Sequence, residues 1–563
     1  MRFLKRLLVV LAALLMLAML MVYLTPLNAY VPQLERSLSS RLQVPVNIGS
    51  LRAAILPLPH LELRDMSMGG QDGIALRSVD VSPVMTELLA GRLALHVEVK
   101  DGAAHLARLD AVAEALSDAP PGAWGAAVRE LRWSQLILLT PQMAVGPLEG
   151  KLEFAGTGAL QRAWLALDER KLTAVLTPLP DRRYSLQLRA AGWTAPQFAG
   201  IPVDELQLDG VLGRTELLAQ RFSFASQGLR MAGSGRLDFS DGLAVHAELR
   251  KAEIPLERLM ALLGKPVGLG GLLAARGRFD SRADSLQGLA GRASFVGEAR
   301  LTEVTARISE GYRQPLAIDS IRSRVELTPG RLDLRGLLVE LYGGSLSGEM
   351  GVDRGKSVLD ARLAARGIAM RPLVEALTNE ALFAGRMDGL ASLTMNLDRL
   401  ERFPENLKLK GSFHLRDGTL SKVDLARVAS NSPGAAGGAT RFSDLTGTLR
   451  VNASGYHFGE LKMASGSLNA EGRIDMTPAL RLNGALDVDV KGTAGLVSMP
   501  LTVSGTLEQP QVHVSGAALA GAAVGTAVLG PGLGTALGVR LGGFMNKLFG
   551  NGTNAGQPHA IRR

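Results

Sequence analysis

Apolar and polar residues alternate over most of this chain, and a period of two is the pattern of β-strands with one buried face. Clear examples are Tyr184–Arg189, Leu243–Leu249 and Leu359–Leu363. Gly, Asp and Pro interrupt these runs at intervals typical of hairpins, as at Asp417-Gly418 and Gly343-Gly344. The pattern predicts a mostly β fold with only a few short helices, in which a long antiparallel sheet either closes into a sandwich or barrel or curls into a groove. Roughly 25–30 strands spaced about 4.8 Å apart would extend about 120–140 Å.

A separate apolar run, Leu7–Leu24, precedes the β-rich part. As a transmembrane helix its length would be roughly 27 Å, close to the hydrocarbon core of a bilayer. Basic residues precede the run and none follows until Arg36, which predicts a cytoplasmic N-terminus and an exported body. A cleaved signal peptide is the alternative, although its apolar core would be shorter and would end in small residues. The leucines expected to form the membrane anchor are Leu7, Leu11, Leu14, Leu15, Leu20 and Leu24.

The composition excludes several classes of function. The chain has 563 residues, no cysteine, a net charge of +9 and only 4% aromatic residues. Thiol chemistry and cysteine-based metal sites are therefore excluded, and no basic patch with stacking rings indicates nucleic-acid binding. The eight histidines are scattered, and no nucleotide-binding or hydrolase motif occurs. We expect no metal, no cofactor and no enzymatic activity, although a pair of carboxylates could still be brought together by folding.

Short helices and a weak repeat break the strand pattern. Helices are predicted at Pro32–Leu42 and Pro83–Ala90. Two more, Leu256–Leu263 and Met370–Leu377, begin a repeat of about 115 residues. In each repeat the helix should be followed by strands, which start at Gly271 and Gly291 in the first copy and at Gly389 and Gly411 in the second.

The last part of the chain differs in composition. Ser515–Val539 has no charge and is rich in Ala and Gly, and basic residues then flank Phe544 and Phe549. We expect a helical tail that caps the sheet or contacts a membrane or partner, with a second membrane span as the alternative. The predicted organisation is an anchor (1–30), an N-terminal region (31–110), a middle β-region (111–253), a C-terminal repeat region (254–514) and the tail (515–563).

Two architectures can bury so long an apolar stripe. In a sealed sandwich or barrel the stripe is core, whereas in an open groove it holds an apolar ligand such as acyl chains. The alternation alone leaves both open. From the apolar phase, the residues expected to line a groove are Leu243, Val245, Leu249, Leu359, Leu363, Leu393, Met395, Leu397, Phe413, Leu415, Leu449, Val451, Leu486, Val488 and Val490.

A set of segments occurs in a characteristic order along the chain: Val44–Leu51, Leu56-Pro57, Leu61–Met68, Val79–Pro83, Gly91–Val99, Leu341–Gly348, Asp417–Leu425 and Met499–Val512. In this order they resemble the AsmA family of bacterial envelope proteins. The resemblance covers most of the chain except about residues 110–240. Gly343-Gly344 also fit the family's tight hairpin, since glycine permits a positive φ.

The resemblance implies a protein anchored in the inner membrane with its body in the periplasm. Its family is related to bridge-like lipid transfer proteins, so the implied function is passive transfer of phospholipid along an apolar β-groove, which supports outer-membrane biogenesis. The implied partners are phospholipid, the inner membrane and outer-membrane or envelope assembly proteins, and nucleic acid is not expected. A different class of function also fits: a sealed β scaffold that binds proteins during assembly of outer-membrane proteins or lipopolysaccharide and carries no lipid.

Overall fold

The computed structural model is mostly β, as the alternation predicts. The residues that the structure describes form 27 strands, a number within the expected range. The structure describes residues 27–42, 44–54, 59–70, 73–105, 127–139, 144–194, 202–262, 268–306, 315–378, 380–402, 404–430, 436–466, 468–492 and 495–514. The apolar run Leu7–Leu24 and the predicted tail lie outside these residues, whereas residues 27–30 of the predicted anchor lie within them. Among the described helices, none combines the length and the apolar character needed to cross a membrane.

Two compact units make up the chain. Unit 1 contains residues 1–227 and 234–240, and unit 2 contains residues 228–233 and 241–563, so the division falls in strand β12 (Leu229–Asp238). The domain boundaries drawn from the sequence stay predictions. The described α-helices are α1 (Val31–Leu42) and α2 (Met85–Leu89) in unit 1, and α3 (Leu256–Leu262), α4 (Leu286–Gly291), α5 (Met370–Thr378) and α6 (Leu425–Ala429) in unit 2. Short 3-10 helices cover Leu27–Tyr30 and Leu397–Arg402.

Unit 1 is a meander in which most strands pair with their neighbours in the sequence. One pair departs from the antiparallel expectation, because β4 and β5 run parallel. Parallel neighbours need a crossover connection, and the residues that join these strands are outside those described. The strands are β1 (Val46–Ala54), β2 (His60–Met68), β3 (Ile74–Pro83), β4 (Ala94–His105), β5 (Ala127–Leu139), β6 (Ala144–Phe154), β7 (Leu160–Leu167), β8 (Leu172–Leu179), β9 (Arg183–Thr194), β10 (Pro202–Leu212) and β11 (Glu216–Ser226).

Helix α1 covers the apolar face of β1–β3. Leu34 and Leu38 pack on a buried cluster that includes Val46 and Leu63. The same helix also protects the outer edge of β1, since the backbone N–H of Ile48 donates to Glu35 Oε1 at 2.7 Å. A free strand edge would otherwise expose such groups to pairing with another chain.

We expect Glu35→Ala to expose this edge locally. The N–H of Ile48 would lose its acceptor, which costs about 1 kcal/mol. Amide exchange at Ile48, measured by hydrogen–deuterium exchange, should therefore become roughly five- to tenfold faster. Gln33→Ala, at an exposed position of the same helix, is the control, and equal acceleration in both variants would contradict this role of Glu35.

Unit 2 is a continuous antiparallel meander from β13 to β27, with each strand paired to the next. The strands are β13 (Leu243–Pro255), β14 (Leu269–Ala283), β15 (Ser294–Ala306), β16 (Leu316–Leu327), β17 (Arg331–Leu341), β18 (Gly344–Asp353), β19 (Val358–Ala369), β20 (Phe383–Asn396), β21 (Leu407–Val423), β22 (Ala436–Asn452), β23 (Gly455–Ala464), β24 (Leu468–Met476), β25 (Leu482–Gly492), β26 (Gly495–Gly505) and β27 (Pro510–Val514).

The structure confirms the predicted helices where it describes them but corrects several local predictions. None of the four predicted strand starts is correct, because Gly291 ends helix α4 and the other three glycines lie inside strands: Gly271 in β14, Gly389 in β20 and Gly411 in β21. Asp417-Gly418 is a bulge within β21, since β21 advances three residues, from Arg416 to Thr419, while β20 advances two. Asp417 takes a φ of +50° there. A bulge uses the same residue types as a turn, which explains the error.

The predicted hairpin at Gly343-Gly344 exists, with a shift of one residue. Tyr342 and Gly343 hold the positive φ angles, +47° and +69°. Gly344 instead begins β18, where an added Cβ would lie 2.5 Å from the backbone nitrogen of Ile368. Gly344 is therefore required for close strand packing and not for the turn.

Candidate functional site

The register of unit 2 brings the predicted groove residues onto one side of the sheet. Residues directly opposite in antiparallel strands point to the same face. We call this side the apolar face. It includes every residue predicted to line the groove, from Leu243 to Val490, that lies in a strand. The exception is Leu397, which follows β20 as the first residue of a 3-10 helix. One row across it, strand by strand from β16 to β25, consists of Val325, Leu334, Met350, Ala361, Leu393, Leu409, Val451, Tyr456, Met476 and Leu482.

The apolar face is tightly packed over β21–β27, which we call the closed segment. Val488 is 0% exposed and Leu501 is 1% exposed. They belong to a buried cluster with Leu415 and Leu486, against which Phe413 and Val490 pack. Of the predicted groove residues in this segment, four are buried, as the sealed interpretation requires: Leu415, Val451, Leu486 and Val488. The other three, Phe413, Leu449 and Val490, are half-buried.

Helix α6 covers the closed segment. Leu425, Val428 and Ala429 on this helix are all buried. The backbone N–H of Leu425 donates to Thr440 Oγ1 (2.9 Å), and the Thr440 hydroxyl donates to the carbonyl of Val423 (2.8 Å). The strand pattern did not predict this helix, although Asp424 is a recognisable N-cap whose side chain accepts from the N–H of Arg427.

The side chain of Lys422, near the end of β21, contacts residues that are distant in the sequence. Lys422 Nζ donates to the carbonyl of Glu508 at 2.9 Å and also contacts the Glu380 carboxylate. Glu508 lies between β26 and β27, so this contact joins strands that are not neighbours in the ladder. The sheet thus curls on itself over the closed segment, which no local pattern could have indicated.

A second buried cluster lies on β19–β22. It contains Leu359, Met395, Leu397 and Val451, and Leu363, Leu393 and Leu449 pack against it. Tyr456 also packs here, and burial raises the pKa of its hydroxyl.

The apolar face is less covered over β13–β18, which we call the half-open segment. Most of the large apolar side chains on this face are half-buried, including the predicted residues Leu243, Val245 and Leu249. This exposure is intermediate between that of a core and that of a free surface. The other half-buried residues on this face include Phe279, Phe295, Leu301, Ile321, Val325, Leu327, Leu332, Leu334, Met350 and Val352.

The opposite side of unit 2, the polar face, carries charged residues paired across strands. The N–H of Gly367 donates to Asp388 at 2.8 Å, and Arg416 contacts the same carboxylate. Both interactions lower the pKa of Asp388, and the backbone hydrogen bond is the largest single cause. The Ser320 hydroxyl and Arg322 likewise lower the pKa of Glu340. These pairs keep the face charged and hydrated.

On the polar face, a serine, a histidine and an aspartate are joined by hydrogen bonds in the same Ser–His–Asp sequence as the catalytic triad of serine hydrolases. Ser454 Oγ lies 2.8 Å from His457 Nε2, and His457 Nδ1 lies 2.7 Å from Asp475 Oδ1. The Ser454 hydroxyl is also 2.6 Å from Asn452 Oδ1, so its single proton has two competing acceptors. Because Ser454 lies in the turn between β22 and β23, we interpret these hydrogen bonds as stabilising that turn. Among the described residues, no group of three His, Asp or Glu side chains could hold a metal ion.

Comparisons of the chain with protein-family models, with curated proteins and with solved structures find no match.

Proposed function

We propose that this chain is an AsmA-like envelope protein that binds phospholipid on its apolar face and transfers it passively toward the outer membrane. In this proposal, Leu7–Leu24 anchors it in the inner membrane, with the N-terminus in the cytoplasm and the body in the periplasm. The observation that carries the proposal is the continuous apolar face of unit 2, which stays only half-covered over β13–β18. The ordered resemblance to the AsmA family supports it independently.

Acyl chains would occupy the half-open segment and not the closed one. Burial of each CH₂ group contributes about 0.8 kcal/mol, and a lipid leaving a bilayer must regain most of this stabilisation in the protein. A half-covered apolar face offers such contacts while leaving one side open for the head group. No bond is made or broken, and the uniformly apolar rows keep the barriers between neighbouring positions low.

The closed segment favours a second candidate function. Since Val488 and Leu501 are almost completely buried, this part of unit 2 resembles a protein core. If the half-open segment were covered by a protein instead of lipid, the chain would be a sealed scaffold for envelope assembly. The two functions differ in what contacts β13–β18.

Photo-crosslinking in cells distinguishes these candidates. We would place a benzophenone amino acid in the full chain at Val325 or Leu334, which lie directly opposite each other on the apolar face. The matched controls are Arg300 and Arg322, which are directly opposite each other on the polar face. We expect phospholipid adducts, identified by mass spectrometry, at least fivefold more abundant at the apolar positions. Protein adducts without lipid would instead support the scaffold.

A further inference from the structure

A cavity on the polar face of unit 2 has an excess of positive charge. Its volume is about 1040 Å³, and strands β17–β22 line it. The cations that line it are Arg331, Arg335, Arg362, Lys408, Lys410 and Arg450, whereas the carboxylates are Asp333, Glu349 and Asp360. The cations therefore outnumber the carboxylates by two to one. We call this site the basic cavity.

The carboxylates of the basic cavity already have partners. Arg331 binds Asp333 at 2.9 Å, and Arg362 binds Glu349 at 3.1 Å. Asp360 accepts a hydrogen bond of 2.7 Å from the Thr394 hydroxyl. None of these three carboxylates forms an ion pair with Lys408, Lys410 or Arg450.

Lys408, Lys410 and Arg450 form one cationic group in the lining of this cavity. Lys410 lies directly opposite Arg450, and Lys408 is two residues along the same strand and on the same face. Within the part of the chain that the structure describes, none of the three has an ion-pair partner. Like charges directly opposite each other destabilise a sheet. An anion bound between them would remove that repulsion.

We propose that the basic cavity binds a phosphate-bearing ligand. Adjacent strands are about 4.8 Å apart and alternate residues about 6.7 Å apart, so one phosphate group can reach all three cations. Ser392, directly opposite Lys410, adds a hydroxyl donor. The volume is typical of small-molecule sites, and none of the lining residues is aromatic, which argues against stacking of a nucleobase. This site lies on the face opposite to the proposed lipid-binding face and does not depend on it.

Calorimetry on the full chain in phosphatidylcholine nanodiscs tests the proposal. The probes are inorganic phosphate, glycerol 3-phosphate and dihexanoyl phosphatidylglycerol. We expect saturable binding that weakens as salt increases. The combined substitutions Lys408→Gln, Lys410→Gln and Arg450→Gln should lower the affinity at least tenfold. The matched control, Lys462→Gln, Arg473→Gln and Lys491→Gln, removes the same charge from exposed positions outside the cavity and should change it less than twofold.

The probes also separate two sources of the phosphate. Tenfold tighter binding of dihexanoyl phosphatidylglycerol than of glycerol 3-phosphate would assign the cavity to a lipid head group, and equal affinities would assign it to a soluble phosphate ester. Absence of saturable binding by all three probes would overturn the proposal. So would an equal loss of affinity in the cavity variant and its control, because the effect would then come from net charge alone.

Discussion

Val488→Asp should unfold the closed segment of unit 2. The side chain at this position is 0% exposed, and its neighbours across the strands are Ala470 and Met499. A carboxylate placed there has no cation beside it on the apolar face, so we expect a loss of roughly 3–5 kcal/mol. Hydrogen–deuterium exchange should show lost protection of β24–β26. Ala485→Asp, at an exposed position of the same strand, should keep its protection.

The stability of Val488→Asp also tests how far the lipid-binding face extends along the sheet. If acyl chains moved past Val488, the position would have to open and close in the native protein, and a carboxylate would be hydrated with little loss of stability. Native protection of β24–β26 in Val488→Asp would therefore contradict a permanently packed closed segment. It would also extend the lipid-binding face over the C-terminal strands.

Sequence periodicity predicted a mostly β fold because the alternation of apolar and polar residues along a strand indicates which of its side chains are buried. The period of two predicted that Leu393 and Val451 share one face of the sheet. In the structure they do, because each lies directly opposite Leu409. Bulges were harder to predict, since Asp417 adopts a positive φ inside a strand just as it would in a turn. The parallel pairing of β4 and β5 was also missed, because alternation does not encode strand direction.

The sequence could not separate the closed from the half-open segment. Val245 and Val488 occupy equivalent positions in alternating strands, yet Val245 is half-buried and Val488 is fully buried. The difference arises from helix α6 and from the contact of Lys422 with Glu508, which bring together residues distant in the sequence. Cover of this kind depends on how the sheet curls, and no single strand contains that information.

Introducing two carboxylates into the half-open segment should abolish copurification of phospholipid. Val325 and Leu334 are directly opposite each other and half-buried, so aspartates at both positions would remain hydrated while the sheet stays folded. They would place charges in the path of the acyl chains, where each desolvated carboxylate costs several kcal/mol. We expect Val325→Asp/Leu334→Asp to reduce the phospholipid bound per chain at least tenfold, as measured by mass spectrometry of the purified full chain.

The polar face offers a control that makes the same chemical change. Val296 and Leu390 are apolar residues on that face, 54% and 64% exposed. Val296→Asp/Leu390→Asp therefore adds the same charge without entering the proposed path, and it should retain the bound phospholipid. Equal loss in both double variants would indicate a general effect of charge on lipid association. Unchanged lipid in Val325→Asp/Leu334→Asp, with native hydrogen exchange, would contradict lipid binding on this face and favour the sealed scaffold, because the apolar face would then be interior to a protein contact.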